Sequence, residues 1–149
     1  MLIQDRAQLR RAYVDAWQKA RDNQPLEPLE RQIAEVIRRH PEYQPLLEAD
    51  EDMLDRDWLP EQGESNPFLH MGLHLAVLDQ LTTDRPPGIR KCWQRMLKTC
   101  LGDVHEAEHR IMACIAEEMW KIQHDRRDFD AKAYLKCVKK QGGGGRARD

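Results

Sequence analysis

Apolar residues recur at every third or fourth position along most of the chain, and this spacing limits the fold more than any other feature. The first such stripe consists of Leu9, Tyr13, Ala16, Trp17 and Ala20. Only short stretches alternate between apolar and polar residues as half-buried strands do, and none of them is rich in β-branched residues. We therefore predict an all-α fold without a sheet.

Prolines, glycines and capping residues set the predicted limits of the helices. Pro41 ends the second helix, and Asn66 caps the third with Pro67 in its first position. The predicted helices span residues 6–21, 29–39, 67–83, 89–101, 103–124 and 130–140, with a short helical turn at 45–49. We expect a single helical bundle of five or six helices over residues 1–140, followed by a flexible Gly- and Arg-rich tail over 141–149.

Residues 48–65 differ from the rest, because they carry eight carboxylates against one arginine and few apolar anchors. We predict a long acidic loop before the third helix, and favour a solvated connector. The alternative is that acidic side chains such as Asp52, Asp55 or Asp57 fold over a nearby site.

Charge and hydropathy exclude two classes of protein. With 24 Lys and Arg against 26 Asp and Glu, the formal net charge is −2, which argues against generic nucleic-acid binding through overall basicity. No apolar run approaches the ~20 residues that a membrane-spanning helix needs, and the amino terminus does not look like an export signal. We expect a cytoplasmic protein with no membrane partner.

The four cysteines are expected to be free thiols. The chain has no Cys-x-x-Cys pair and no recognisable export signal, so a disulfide framework is not predicted. Cys92 and Cys100 share a helix face with apolar residues, which indicates core packing, and Cys114 lies on the side of its helix opposite the histidines.

Two His-x3-His pairs carry the main chemical signal. A spacing of four residues puts both imidazoles of a pair on one side of a helix, about 6 Å apart along its axis, where they can reach one ion. In the fifth helix the same arc also carries Met112, Ala113, Ala116, Met119 and Trp120, so we expect this arc to face the interior. The predicted metal ligands are His70, His74, His105 and His109.

Several nearby groups are candidates for a second shell or a general base. Glu108 lies at one edge of the histidine arc of the fifth helix, and Glu106 and Glu117 flank the other edge. Glu106 has a competing role in a capping box with Asp103. His40 continues the apolar stripe of the second helix, either as an extra ligand or as a cap for the last carbonyls of that helix.

The donor set predicts a divalent transition metal, with Zn, Fe, Mn and Ni all open. The third helix has no Glu three positions before either of its histidines, which disfavours a carboxylate-bridged di-iron centre. An open coordination position predicts a metal-dependent hydrolase or transferase. The alternative is a non-enzymatic adaptor or regulatory bundle whose histidines are core groups hydrogen-bonded to Asn66, Gln80 or Gln123. Neither the substrate, the catalytic residues nor the oligomeric state follows from the sequence.

The block N-P-F-L-H-M-G-L-H at 66–74, with D-V-H-E-A-E-H at 103–109 and A-Y-L-K-C-V at 133–138, resembles the bacterial domain of unknown function 1841 family. The resemblance extends to residues 12–43 and implies a small helical bacterial protein without a defined activity. It also implies that the four paired histidines and Glu117 correspond to family positions.

A looser similarity is to metal-binding four-helix bundles of the DinB-like kind. Those bundles draw one histidine from one helix and a His-x3-His pair from another. The two His-x3-His pairs of this chain depart from that pattern, so the similarity concerns the fold alone.

Overall fold

The computed structural model describes residues 6–48, 56, 58 and 66–143. Over these residues the secondary structure is helical, without a strand, as the apolar spacing predicts. The α-helices are α1 (Arg6–Arg21), α2 (Pro28–Arg38), α3 (Gln44–Leu47), α4 (Pro67–Thr83), α5 (Ile89–Thr99), α6 (Val104–Asp125) and α7 (Ala131–Gly143), and a 3₁₀ turn at Pro41–Tyr43 precedes α3. None of these helices combines the length and the apolarity that crossing a membrane requires.

The observed limits follow the predicted ones closely, and the main difference lies at the carboxyl end. We expected the last helix to end near Lys140, but α7 continues to Gly143. The Thr99 hydroxyl donates to the Gly142 carbonyl, and the Arg110 guanidinium donates to the Gln141 carbonyl at 3.2 Å. These side chains from α5 and α6 satisfy carbonyls that a fraying helix end would leave to water. The rest of the predicted tail, residues 144–149, lies outside the described residues.

The chain divides into two compact units, residues 1–75 and residues 76–149. Helix α4 crosses the division, so its first half belongs to unit 1 and its second half to unit 2. The predicted single bundle of five or six helices is not confirmed, and the seven α-helices include the four-residue α3 at the place of the predicted short turn.

Unit 1 is built around the pairing of α1 with α2. The Trp17 indole N–H donates to the Glu48 carboxylate at 3.0 Å, and the Tyr13 ring meets the Phe68 ring edge-on at 5.6 Å. Each large apolar side chain buried here stabilises the fold by about 1.5–3 kcal/mol relative to exposure. The buried apolar residues are Tyr13, Ala16, Trp17, Ile33, Ala34, Val36, Ile37, Leu47, Phe68 and Met71.

Most of the predicted acidic loop lies outside the described residues, but three of its members, Glu48, Arg56 and Trp58, are placed. The Arg10 guanidinium lies 5.1 Å from the centre of the Trp58 ring and 5.0 Å from that of Phe68, which are cation–π distances. It also donates to the Arg56 carbonyl at 2.8 Å. These contacts attach residues 56 and 58 to α1.

Unit 2 consists of α5, α6, α7 and the end of α4, with α7 packed against both α5 and α6. Its buried apolar residues are Val77, Ile89, Cys92, Met96, Ala107, Ile111, Met112, Cys114, Ile115, Tyr134 and Val138. The expectation of four free thiols is wrong for one pair, since Cys114 and Cys137 form a disulfide between α6 and α7. Cys92 and Cys100 are free, as predicted, and Cys92 is buried.

The orientation predicted for α6 is also wrong for most of the expected arc. Met112 is buried, but His105, Ala113, Ala116, Met119 and Trp120 are exposed. The buried face instead carries Ala107, Glu108, Ile111, Cys114, Ile115 and Glu118. Helix α6 has apolar residues on two adjoining arcs, and packing against α5 and α7 selects the one centred on Ile111 and Cys114.

Candidate metal centre

The amino-terminal cap of α4 sets the position of the first histidine pair. The Asn66 side-chain oxygen accepts hydrogen bonds from the backbone N–H groups of Phe68 at 2.9 Å and Leu69 at 3.2 Å, which is the predicted cap. The helix therefore begins one turn before His70, and His74 follows one turn later on the same side.

The two imidazoles of α4 turn the same nitrogen towards each other. The Nε2 atoms of His70 and His74 are 3.2 Å apart, with ring centres at 4.8 Å. His74 is fully buried and His70 is half-buried. For an ion bound about 2.05 Å from both nitrogens, the usual Zn–N distance, the N–metal–N angle would be about 103°, close to tetrahedral. The separation thus suits two ligands of one ion.

His40, from the end of α2, completes a group of three. Its ring centre lies 4.7 Å from that of His74 and 5.1 Å from that of His70. One ring nitrogen of each histidine lies within 4.8 Å of the other two, and no other set of three such donors occurs in the part of the chain that the structure describes. All three residues belong to unit 1, so the group is formed within one compact body.

A backbone hydrogen bond selects the tautomer of His40. Its Nδ1 lies 2.8 Å from the Val36 carbonyl oxygen. Because a carbonyl only accepts, the proton sits on Nδ1, and Nε2 keeps the lone pair that a metal would use. Metal-binding histidines characteristically donate their second nitrogen in this way. The two roles predicted for His40, helix cap and extra ligand, are therefore compatible.

The second predicted pair lies in unit 2. His105 and His109 are adjacent on α6, with ring centres 4.1 Å apart, and His105 is exposed while His109 is half-buried. Their inclusion with the α4 pair at a single ion stays a prediction.

The three carboxylates predicted as second-shell groups or general bases lie in different environments. The Glu106 carboxylate pairs with Arg110 at 2.9 Å, and its backbone N–H donates to Asp103 at 3.1 Å in the expected cap. Glu117 is exposed and pairs with Lys121 at 3.2 Å. Glu108 is buried on α6. The role of each as base or second-shell group stays a prediction.

His124 is exposed, and its Nδ1 lies 3.0 Å from the Trp120 carbonyl oxygen, the same local bond that His40 makes. It therefore provides a natural reference for a histidine with a helix-terminal hydrogen bond outside the cluster of His40, His70 and His74.

The model of the domain of unknown function family DUF1841 matches residues 5–140. The chain belongs to this family. No curated protein and no solved structure shows significant similarity to it. The resemblance predicted from the N-P-F-L-H-M-G-L-H block is thus confirmed over nearly the whole length of this DUF1841 protein.

One histidine of this group comes from the end of α2, and a His-x3-His pair comes from α4. The sequence leaves His40 open between an extra ligand and a helix cap, because a histidine at the end of a helix can cap its last carbonyls. The available signal was its position, as the last residue of the apolar stripe of α2.

Proposed function

We propose that this DUF1841 protein binds one divalent transition-metal ion through His40, His70 and His74. The observation that carries the proposal is the convergence of three ring nitrogens within 4.8 Å, two of them on side chains that are 2% and 0% exposed. Burying two imidazoles beside a half-buried third is costly unless their nitrogens are satisfied, and a shared ion satisfies all three.

The tautomer of His40 supports a metal over a purely hydrogen-bonded cluster. A bond between the Nε2 atoms of His70 and His74 needs one ring to donate and the other to accept. His40 then brings a further lone pair to the same place, since its proton is used on the Val36 carbonyl. A cation suits three ring nitrogens that converge on one point, because each nitrogen can present a lone pair to it.

Two of the partners that the adaptor alternative requires are already engaged. The Asn66 side-chain oxygen caps α4, and the Gln80 side-chain oxygen accepts from the Tyr134 hydroxyl. These bonds use the side-chain oxygens, so in that alternative the histidines would accept from the NH2 groups of the two amides.

Three protein ligands leave a coordination position for water or substrate, as in catalytic rather than closed zinc sites. A bound ion there would act as a Lewis acid and lower the pKa of water to about 7. The proposal therefore extends to a metal-dependent hydrolase or transferase, with Zn, Fe, Mn or Ni as the ion.

Metal analysis of the full chain tests the proposal. Protein prepared without an affinity tag or chelator is loaded with Zn²⁺, dialysed and measured by elemental analysis and by competition with a chromophoric chelator. We expect one Zn²⁺ per chain, and His40→Ala should weaken Zn²⁺ affinity at least tenfold, because it removes one of three ligands. The matched control is His124→Ala, which removes an exposed histidine with the same local bond and should leave the affinity unchanged.

Two outcomes would overturn the proposal: parent protein that retains no Zn²⁺, or a His40→Ala variant that binds as tightly as the parent. A parent without Zn²⁺ and a His40→Ala variant with a lowered melting temperature would favour the hydrogen-bonded core of the adaptor alternative. A separate His105→Ala/His109→Ala variant tests whether the α6 pair supplies ligands to the same ion.

A further inference from the structure

The 3₁₀ turn after α2 folds Tyr43 back over His40. Pro41 opens the turn, and the Tyr43 backbone N–H donates to the His40 carbonyl at 2.9 Å. The Gln44 side chain donates to the Ile37 carbonyl at 3.4 Å. These local bonds join the turn to the end of α2, so the sequence His-Pro-Glu-Tyr places an aromatic ring next to a histidine three residues earlier.

The two rings are stacked. Their centres are 5.3 Å apart and their planes differ by 5°, an offset parallel arrangement that aromatic pairs favour. The Tyr43 ring also lies 6.2 Å from the His70 ring, at 76° to it. Burial, with a smaller contribution from Glu42, raises the pKa of the Tyr43 phenol, so the ring stays neutral beside the cluster at physiological pH.

The stack and the Val36 bond restrain the His40 ring in different ways. The hydrogen bond from Nδ1 to the Val36 carbonyl holds one atom of the ring, but the ring can still rock about that bond. The offset stack on Tyr43 limits this rocking from one face of the ring. With both restraints, the direction of the Nε2 lone pair is set before an ion arrives, which reduces the ordering cost of binding.

We propose that Tyr43 is a positioning residue of the metal centre, which acts by holding the imidazole of His40 in its ligating orientation. This inference rests on the proposed metal site. The contribution comes from the aromatic face of Tyr43 and not from its hydroxyl, so Phe at this position would serve equally well.

Zn²⁺ affinity of the full-length protein, measured by competition with a chromophoric chelator, tests the role of Tyr43. Tyr43→Phe keeps the stacked ring and should bind within twofold of the parent. Tyr43→Leu removes it and should bind 10–100-fold more weakly, the usual effect of losing a group that orients a metal ligand. Tyr43→Met serves as a second non-aromatic variant if the leucine variant does not fold.

The control is Trp120→Leu. The Trp120 ring stacks on His124 at 3.9 Å and 17°, so this variant removes an equivalent stack outside the cluster and should not alter Zn²⁺ affinity. Long-range ¹H–¹⁵N spectra of metal-free protein provide a second measurement. The His40 ring signals, with the proton on Nδ1, should persist in Tyr43→Phe and broaden or shift in Tyr43→Leu.

Leucine and methionine variants that bind Zn²⁺ as tightly as the parent would overturn the positioning role while leaving the metal site intact. A phenylalanine variant as weak as the leucine variant would also overturn it, because the hydroxyl would then be the active group. A parent that binds no Zn²⁺ refutes the metal site itself, and the role of Tyr43 at that site falls with it.

Discussion

Asp84 shows how one side chain joins two helices within unit 2. It follows α4 with a positive φ of 52°, and its carboxylate accepts a hydrogen bond from the Arg90 backbone N–H at 3.0 Å, in the first turn of α5. This bond is the largest cause that lowers the pKa of the Asp84 carboxyl below its ordinary value of 3.8, and the nearby Arg90 and Lys91 charges add to it. Ionised Asp84 is therefore favoured in the folded protein.

The lowered pKa predicts a pH dependence at this residue. The stabilising contribution of Asp84 should be complete above about pH 4 and should be lost as the pH falls through the lower pKa of the folded state. Asp84→Asn keeps an acceptor for Arg90 but does not titrate. In urea unfolding at pH 5, 4 and 3, we expect the parent to lose stability relative to this variant as the pH falls. A constant difference between the two proteins across this range would contradict the prediction.

Single residues also show which parts of the site the sequence could predict. His70 and His74 are four apart on one helix, so their proximity is a local property that spacing alone indicates. His40 meets them only because α2 ends beside α4, and the Cys114–Cys137 bond forms only because α6 packs on α7. Contacts of this kind depend on tertiary packing, which periodicity does not encode.

At the scale of an element, α4 contains an unusual residue between its two histidines. Gly72 lies in the middle of a helix, where glycine normally costs about 0.5–1 kcal/mol relative to alanine. A Cβ added there would lie 3.7 Å from the Tyr13 hydroxyl, an ordinary van der Waals contact. The close packing of α4 therefore does not require glycine at this position.

We predict that Gly72→Ala raises the free energy of unfolding by about 0.5–1 kcal/mol, with Zn²⁺ affinity unchanged. Denaturant unfolding and the chelator competition measure the two quantities. Gly102→Ala is the contrasting control, because Gly102 has a φ of +85° and alanine there should destabilise by about 1 kcal/mol. A destabilised Gly72→Ala variant would show that α4 approaches its neighbours too closely for a methyl group.

Helices were predictable in extent but not always in orientation. Caps and breaking residues fix their limits, and the Asn66 cap and the Asp103 cap lie where expected. In α6, however, two adjoining arcs are apolar enough to be buried, and Trp120 ends up 57% exposed while Glu108 is buried. Sequence alone cannot choose between such arcs, because the choice depends on which helices pack against them.

At the scale of the whole molecule, the two chemically distinctive features lie in different units. The cluster of His40, His70 and His74 belongs to residues 1–75, whereas the disulfide belongs to residues 76–149. Length and composition favoured one domain, and a division within α4 has no signal in the sequence, since no proline or glycine-rich linker marks it.

This separation predicts that a metal and a reductant act on different parts of the chain. Cys114 and Cys137 are 23 positions apart, and opening a loop of that length should cost unit 2 about 3 kcal/mol of unfolding free energy. Zn²⁺ at 100 times its dissociation constant should stabilise its own site by about 2.7 kcal/mol. Hydrogen exchange with mass spectrometry should therefore show Zn²⁺ protecting α2 and the first half of α4, and dithiothreitol exposing α6 and α7.

Cys137→Ser should reproduce the effect of dithiothreitol in unit 2, and Cys100→Ser, which removes a free thiol, should not. Unchanged exchange in α6 and α7 after reduction would contradict the stabilising role of the disulfide.

The extent of Zn²⁺ protection distinguishes between the two possible ligand sets. Protection that also reaches the turn of α6 around His105 and His109 would support the four-histidine ligand set predicted from the sequence. Protection confined to residues around His40, His70 and His74 would support three ligands, because only amides linked to the occupied site gain the binding free energy.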